Sequence, residues 1–131
     1  MKIFGIGTDI VNIKRMDNTL KKRGFIFKNK IFSKKEISYC ENKKNSSAFY
    51  AKRFAAKEAF SKALGTGIRK GVNLKNIEIF NNSQGKPSIL LKGSLDGYVK
   101  KKVKNKNYNI YLSLSDDKPW AQATVIISYG K

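Results

Sequence analysis

The stretch from Ala48 to Leu64, AFYAKRFAAKEAFSKAL, constrains the fold more than any other part of this sequence. Its alanines favour helix, and Gly65 supplies the residue type that most readily ends one in a left-handed turn. At about 100° per residue, however, Phe49, Phe54, Phe60 and Leu64 fall on several sides, and so do the charges. A helix lying on a protein surface carries one apolar stripe. This pattern instead predicts a central helix covered on most faces, with its charged side chains directed into particular openings.

The flanking segments supply what could cover it. KIFGIGTDIV, residues 2–11, reads as a first strand ending near Asp9, with two glycines that let another backbone approach closely. NIKRMDNTLKKRGF, residues 12–25, is a basic helix with Met16 and Leu20 four apart on one side. Ser33 and Glu36 have capping-box spacing, so a short helix begins there, and Ser46 or Ser47 is the expected N-cap of the long one. IEIF, the turn NNSQGKP and SILL form a hairpin. Leu95, Tyr98, Val99 and Val103 recur at helical spacing, and NIYLSLS and AQATVIIS are strands separated by a DDKPW turn. The expected architecture is α+β: a single domain over residues 1–131, with a mostly antiparallel β-sheet packed around one long central helix.

Charge narrows the partners. Lys and Arg number 28 against 9 Asp and Glu, a formal charge of +19, which points to an anionic partner. Only Arg15, Arg23, Arg53 and Arg69 are arginines. These are the more informative bases, because a planar fork suits phosphate or carboxylate. The lysine excess is also compatible with plain solvated surface. There is no histidine, which excludes His-based triads and His zinc sites, and the lone Cys40 excludes an intrachain disulfide. The opening MKIFGIGTDIV is too short and too soon polar for a signal peptide or membrane span, so a cytoplasmic protein without membrane association is expected.

Two acids carry the chemical interest. Asp9 follows a Gly-X-Gly strand, where an acid ordinarily caps a turn. Glu58 lies within the long helix, where a surface ion pair with Lys62 would be worth only about 0.3–0.5 kcal/mol. In a covered helix, however, a carboxylate must be paired, coordinated or partly solvated. Two carboxylates without His or Cys suit a hard cation such as Mg²⁺, which takes its other ligands from phosphate and water. GTGIRKG, residues 65–71, could cradle a phosphate, but it follows a helix instead of opening one and lacks the P-loop pattern. Spacing alone yields a basic α+β domain in which a Mg²⁺-phosphate site is one reading, and does not place Asp9 beside Glu58.

GIGTDIV near the start, KRFAAKEAFSKALGTGI in the middle, GKP in the hairpin and AQATVIIS near the end resemble the holo-[acyl-carrier-protein] synthases, small single-domain 4′-phosphopantetheinyl transferases. The likeness covers nearly the whole chain in the same order. It implies transfer of 4′-phosphopantetheine from coenzyme A to a serine of an acidic apo acyl carrier protein, releasing adenosine 3′,5′-bisphosphate. By the same resemblance Asp9 and Glu58 hold Mg²⁺, and Asp9, Glu58 and Lys62 form the catalytic set. Arg53 and Lys62 contact phosphate, and Gly65, Thr66 and Gly67 lie where backbone approaches the CoA. Gly85, Lys86 and Pro87 reach the nucleotide from a neighbouring subunit of a homotrimer with interfacial sites. Arg15, Met16, Lys22, Arg23 and Phe25 dock the carrier. At Asp116 the chain departs from the many members that have histidine near the nucleotide phosphate, so no phosphate contact is expected there. Lys43 or Lys44 replaces an arginine sometimes found before the long helix.

The serine hydroxyl needs a base, which the family pattern leaves as Glu58 itself or a metal-bound water that Glu58 orients. The rival reading from charge alone is a non-catalytic nucleic-acid-binding domain. It gives no reason for Asp9, Glu58 or the helix-ending glycines, and no RNA- or DNA-binding motif is visible, so no nucleic-acid partner is expected.

Overall fold

The structure is a computed structural model that describes residues 1–66 and 72–130. Its axis is helix α3, Ser46–Leu64, with 12 of 19 residues buried, among them Arg53 and Lys57. The expectation of a covered central helix holds. Gly65 closes it at φ 87°, donating its N–H to the Ser61 and Lys62 carbonyls at 3.1 Å. Its start differs from expectation: Asn45 occupies the N-cap without a side-chain bond. The Ser47 hydroxyl instead donates to Asp17 Oδ1 at 2.6 Å, tying the start of α3 to the preceding long helix.

Strand β1 is Lys2–Asn12, β4 is Tyr108–Asp117 and β5 is Trp120–Tyr129, and they form an antiparallel sheet in the order β1-β5-β4. β2, Ile77–Asn81, and β3, Pro87–Leu91, form a separate antiparallel hairpin. The antiparallel expectation is met, though by two sheets. β1 does not end near Asp9. Its pairing with β5 continues through Asp9↔Ala123 to Asn12↔Trp120, so the length of β5 carries β1 three residues further.

Gly5 and Gly7 explain how tightly β1 meets α3. A Cβ on Gly5 would overlap the Ala63 carbonyl oxygen, and one on Gly7 the Ala59 carbonyl oxygen. Small residues on both elements therefore bring backbone against backbone, and this contact fixes the register of strand on helix.

Helix α1 spans Ile13–Ile31, capped by Asn12 Oδ1 accepting from Arg15 N at 3.0 Å. It runs past the expected end at Phe25, but Gly24 at φ 44° and ψ −122° breaks it into two pieces. α2, Lys34–Glu41, has the predicted capping box: Glu36 N donates to Ser33 Oγ, and Ser33 N to Glu36 Oε1. α4, Leu95–Val103, buries Leu95, Val99 and Val103. One core lies between α3, both sheets and α4. A second, with Met16, Leu20, Phe32, Cys40 and Tyr50, joins α1 and α2 to the first half of α3. Among the described residues no helix is long and apolar enough to cross a membrane.

Candidate active site

Strand alternation decides where Asp9 points. Gly5 and Gly7 face α3, so Asp9, two residues on, faces the same way, while Ile6, Thr8 and Ile10 lie exposed on the far face. Glu58 and Lys62 are one helical turn apart and meet β1 at this level. Lys62 Nζ donates to Asp9 Oδ1 at 3.1 Å and to the Thr8 carbonyl at 3.0 Å. It reaches across to the strand, and no Glu58–Lys62 ion pair forms among the described residues.

Glu58 is left in an uncomfortable position. Its Oε2 is buried and has no hydrogen-bond partner. Burial raises its pKa, the Asp9 charge raises it further, and the Lys62 ammonium offsets part of the rise. Both carboxylates line a cleft of about 530 Å³, walled on its apolar side by Val11, Met16, Phe27, Phe54 and Trp120, with Arg15 among its polar residues. Two acids 49 positions apart in the chain thus face one opening. Spacing in the sequence could not supply that.

Arg53 belongs to the other side of α3. Nine positions separate it from Lys62, which is two and a half turns, so the two side chains leave the helix in opposite directions. Arg53 is 2% exposed. Its guanidinium lies 4.0 Å from the centre of the Tyr39 ring, and Nη2 donates to Asn81 Oδ1 at 2.7 Å. Asn81 ends β2, and beyond it stand Gly85 (φ 82°), Lys86 and Pro87. One copy of the chain therefore brings Asp9, Glu58 and Lys62 together on one side, and Arg53 with the 85–87 turn on the other.

Gly65 and Thr66 follow Lys62 at the end of α3, with Thr66 N donating to the Ser61 carbonyl at 3.3 Å. Gly67, and with it Arg69, lies outside the described residues. Arg15, Lys22 and Arg23 are exposed on α1, and Phe25 is 79% exposed just past the Gly24 break. Met16 differs: it is 4% exposed and packs inward with Ile13 and Leu20. The four-residue spacing of Met16 and Leu20 marks the buried stripe of α1, and Met16 meets the cleft wall from that side. Asp116 pairs with Lys52 at 3.2 Å.

Lys57 and Glu36 carry a role that the sequence did not announce. Lys57 is fully buried, and its Nζ donates to Glu36 Oε1 at 2.8 Å, to the Leu74 carbonyl at 2.7 Å and to the Ile77 carbonyl at 2.5 Å. Glu36 Oε2 accepts from Ile79 N at 3.0 Å. The one available signal was a lysine four residues after Arg53, hence on the same stripe, inside an alanine run.

This arrangement has close counterparts. Residues 5–120 match the model of the 4′-phosphopantetheinyl transferase superfamily, which fixes the class of protein. The holo-[acyl-carrier-protein] synthase of Pelagibacter ubique is 46% identical over 127 residues, covering 97% of this chain and 98% of that one. The crystal structure of the same enzyme from Neisseria meningitidis superposes with a TM-score of 0.88 at 37% identity, covering 96% of this chain and 98% of that one. The Bacillus anthracis enzyme, solved in complex with CoA (3′,5′-ADP), gives a TM-score of 0.81 at 33% identity, covering 99% of this chain and 100% of that one. The chain belongs to the holo-[acyl-carrier-protein] synthases, enzymes of the phosphopantetheinyl transferase superfamily.

Proposed function

We propose that the chain is a Mg²⁺-dependent enzyme that moves 4′-phosphopantetheine from CoA to a serine of an acidic apo acyl carrier protein in the cytoplasm. Adenosine 3′,5′-bisphosphate is the leaving product. The observation that carries this reading is the unpartnered, buried Glu58 Oε2 beside an Asp9 already held by Lys62.

The donor set fits a hard divalent cation. An orphaned carboxylate oxygen next to a second carboxylate is costly without a counter-ion. Among the described residues no group of three or more His, Cys, Asp or Glu gathers to complete a protein cage. Mg²⁺ ordinarily takes one or two carboxylates and keeps positions for water and phosphate, so Asp9 and Glu58 would be enough protein ligands for it. Bound by Asp9 and Glu58, the ion would supply charge neutralisation to the CoA pyrophosphate.

The chain's own groups do the rest. Lys62, fixed by Thr8 and Asp9, places a positive charge where the leaving phosphate gains negative charge. The serine oxygen forms a bond to the phosphorus of the pantetheine phosphate as the bond from that phosphorus to the bisphosphate oxygen breaks. Glu58 takes the serine proton directly or orients one ordered water that takes it. The apolar wall around Phe54 and Phe27 suits the pantetheine arm, and exposed Arg15, Lys22, Arg23 and Phe25 suit the acidic carrier.

Homotrimeric assembly follows the same logic. The 85–87 turn and Arg53 lie on the side of α3 away from Glu58, so a site using both halves takes them from two copies. The outer face of β1-β5-β4 exposes Ile6, Ile10 and Tyr111, an apolar surface for such a contact. The decisive experiment is to incubate the chain with CoA, Mg²⁺ and an apo carrier and weigh the carrier by mass spectrometry. A carrier heavier by one phosphopantetheine is the expected result, and an unchanged mass overturns the reading.

A further inference from the structure

Two cations on one stripe of α3 hold the β2–β3 hairpin. Lys57 fixes its start, through the Ile77 carbonyl and through Glu36, whose other oxygen takes the Ile79 N–H. Arg53, one turn earlier, fixes its far end through Asn81. The Asn81 side chain is bonded at both of its atoms. Oδ1 accepts from Arg53 Nη2 at 2.7 Å, and Nδ2 donates to the Gly85 carbonyl at 2.9 Å. The next residue completes the turn, with Asn82 Oδ1 accepting from Gln84 N at 2.9 Å and Lys86 N at 3.0 Å.

We infer that Asn81 is a positioning residue for CoA, passing the fixed placement of the Arg53 guanidinium to the Gly85-Lys86-Pro87 turn that contacts the nucleotide. The inference rests on the reading of that turn as part of the CoA site. Arg53 is held on two sides, with one face of its guanidinium against Tyr39 and Nη2 committed to Asn81, while Nε is buried without a hydrogen-bond partner. Arginine is suited to this because its planar fork stacks on Tyr39 while donating sideways to Asn81, a geometry that lysine does not offer. The turn itself is exposed and short, with Gly85 in a left-handed conformation. Ordering such a turn only when CoA binds would cost affinity. The Asn81 clamp removes that cost in advance.

The test separates the two bonds of Asn81. Asn81→Asp keeps the oxygen that faces Arg53 but puts a second oxygen against the Gly85 carbonyl in place of a donor. Asn81→Leu removes both bonds. Each is expected to raise KM for CoA roughly tenfold, the weight of one well-made hydrogen bond. kcat should stay within twofold, and KM for the apo carrier should not change. Calorimetric titration of CoA into the same proteins should show the same loss, with no carrier present.

A merely structural Asn81 would lower the active fraction and therefore kcat while leaving both KM values alone. That outcome, or a CoA KM within twofold of the parent in Asn81→Asp, overturns the inference. If Asn81→Leu does not fold, Asn81→Asp, which retains the Arg53 contact, decides. A parent chain that neither binds CoA nor transfers from it sinks the functional reading and this inference with it. An active parent with indifferent Asn81 variants sinks this inference alone.

Discussion

Lys62 Nζ lies 3.1 Å from Asp9 Oδ1, joining the end of the central helix to the first strand, and it leaves the neighbouring Glu58 Oε2 without a hydrogen-bond partner. The cleft is built at a cost to stability, because a buried carboxylate oxygen without a partner is unfavourable. The predictions that follow depend on how that cost and its supports are distributed.

The first concerns Glu58. Its pKa is raised in the folded chain, so between the unfolded glutamate value of 4.5 and the folded value the native state binds more protons than the unfolded one. Stability then falls as pH rises through that window, and the penalty is fully present only above the folded value. Glu58→Gln should therefore raise the Tm of the metal-free protein by a few degrees at neutral pH. The gain should shrink to nothing below the unfolded value. Adding Mg²⁺ should raise the Tm of the parent and not that of the variant. Thermal scans across pH with and without the metal check this, and a variant no more stable than the parent at neutral pH contradicts it.

The glycines of β1 give a contrast in packing. At Gly7 a Cβ would run into the Ala59 carbonyl oxygen, which is backbone and cannot swing aside. Gly7→Ala should cost about 3 kcal/mol or more in urea unfolding. Gly97, inside α4, has open space around its Cβ position and no left-handed φ. Gly97→Ala should instead stabilise by about 0.5–1 kcal/mol. Equal effects at the two sites would mean that β1 and α3 are not in backbone contact.

The buried Lys57–Glu36 pair predicts a coupled loss. Burial pushes the Lys57 pKa down, and Glu36 opposes that shift. Lys57→Met would leave the Glu36 carboxylate buried without its counter-charge, a loss of about 3–5 kcal/mol. Glu36→Gln keeps one acceptor oxygen but turns its NH2 towards the N–H of Ser33 or Ile79, and it also strands the ammonium, so it should cost at least as much. The double variant should cost clearly less than the sum of the two. A double-mutant cycle by denaturant unfolding measures this, and strict additivity would show that the charges do not interact.

These supports explain which parts of the site could be read in the sequence. Helix α3 was legible because Gly65 and the alanine run are local signals, and its coverage followed from phenylalanines on several sides. The Ser33–Glu36 box was legible for the same local reason. The second task of Glu36, holding Lys57 and Ile79, was not, because its partners lie 21 and 43 residues away. Gly5 and Gly7 announced a close approach but not the partner, which is the backbone of Ala59 and Ala63. The pairing of Asp9 with Lys62 depends on that contact. The resemblance to the synthases therefore supplied the constellation, while the residues alone supplied only its members. Met16 shows what local spacing can give: four residues from Leu20, it lies on the buried side of α1.

The last prediction separates a local docking surface from bulk charge. The chain carries a formal charge of +19, and an acidic carrier protein would be attracted to almost any face of it. Arg15 and Arg23 are exposed on α1, and Arg15 also lines the cleft that holds Asp9 and Glu58. Arg15→Glu with Arg23→Glu should raise KM for the apo carrier roughly tenfold and leave KM for CoA within twofold. Lys101→Glu with Lys102→Glu reverses the same two charges on α4, whose lysines there are exposed and line no part of that cleft. Both double variants lower the net charge by four, so a long-range field would weaken carrier binding equally in the two, and added salt would erase the difference between either and the parent. A local surface penalises only the α1 pair, and part of its penalty survives salt because Phe25 and the cleft edge still require the carrier in register. Equal KM values for the two double variants would remove α1 as the docking surface while leaving the chemistry at Glu58 untouched.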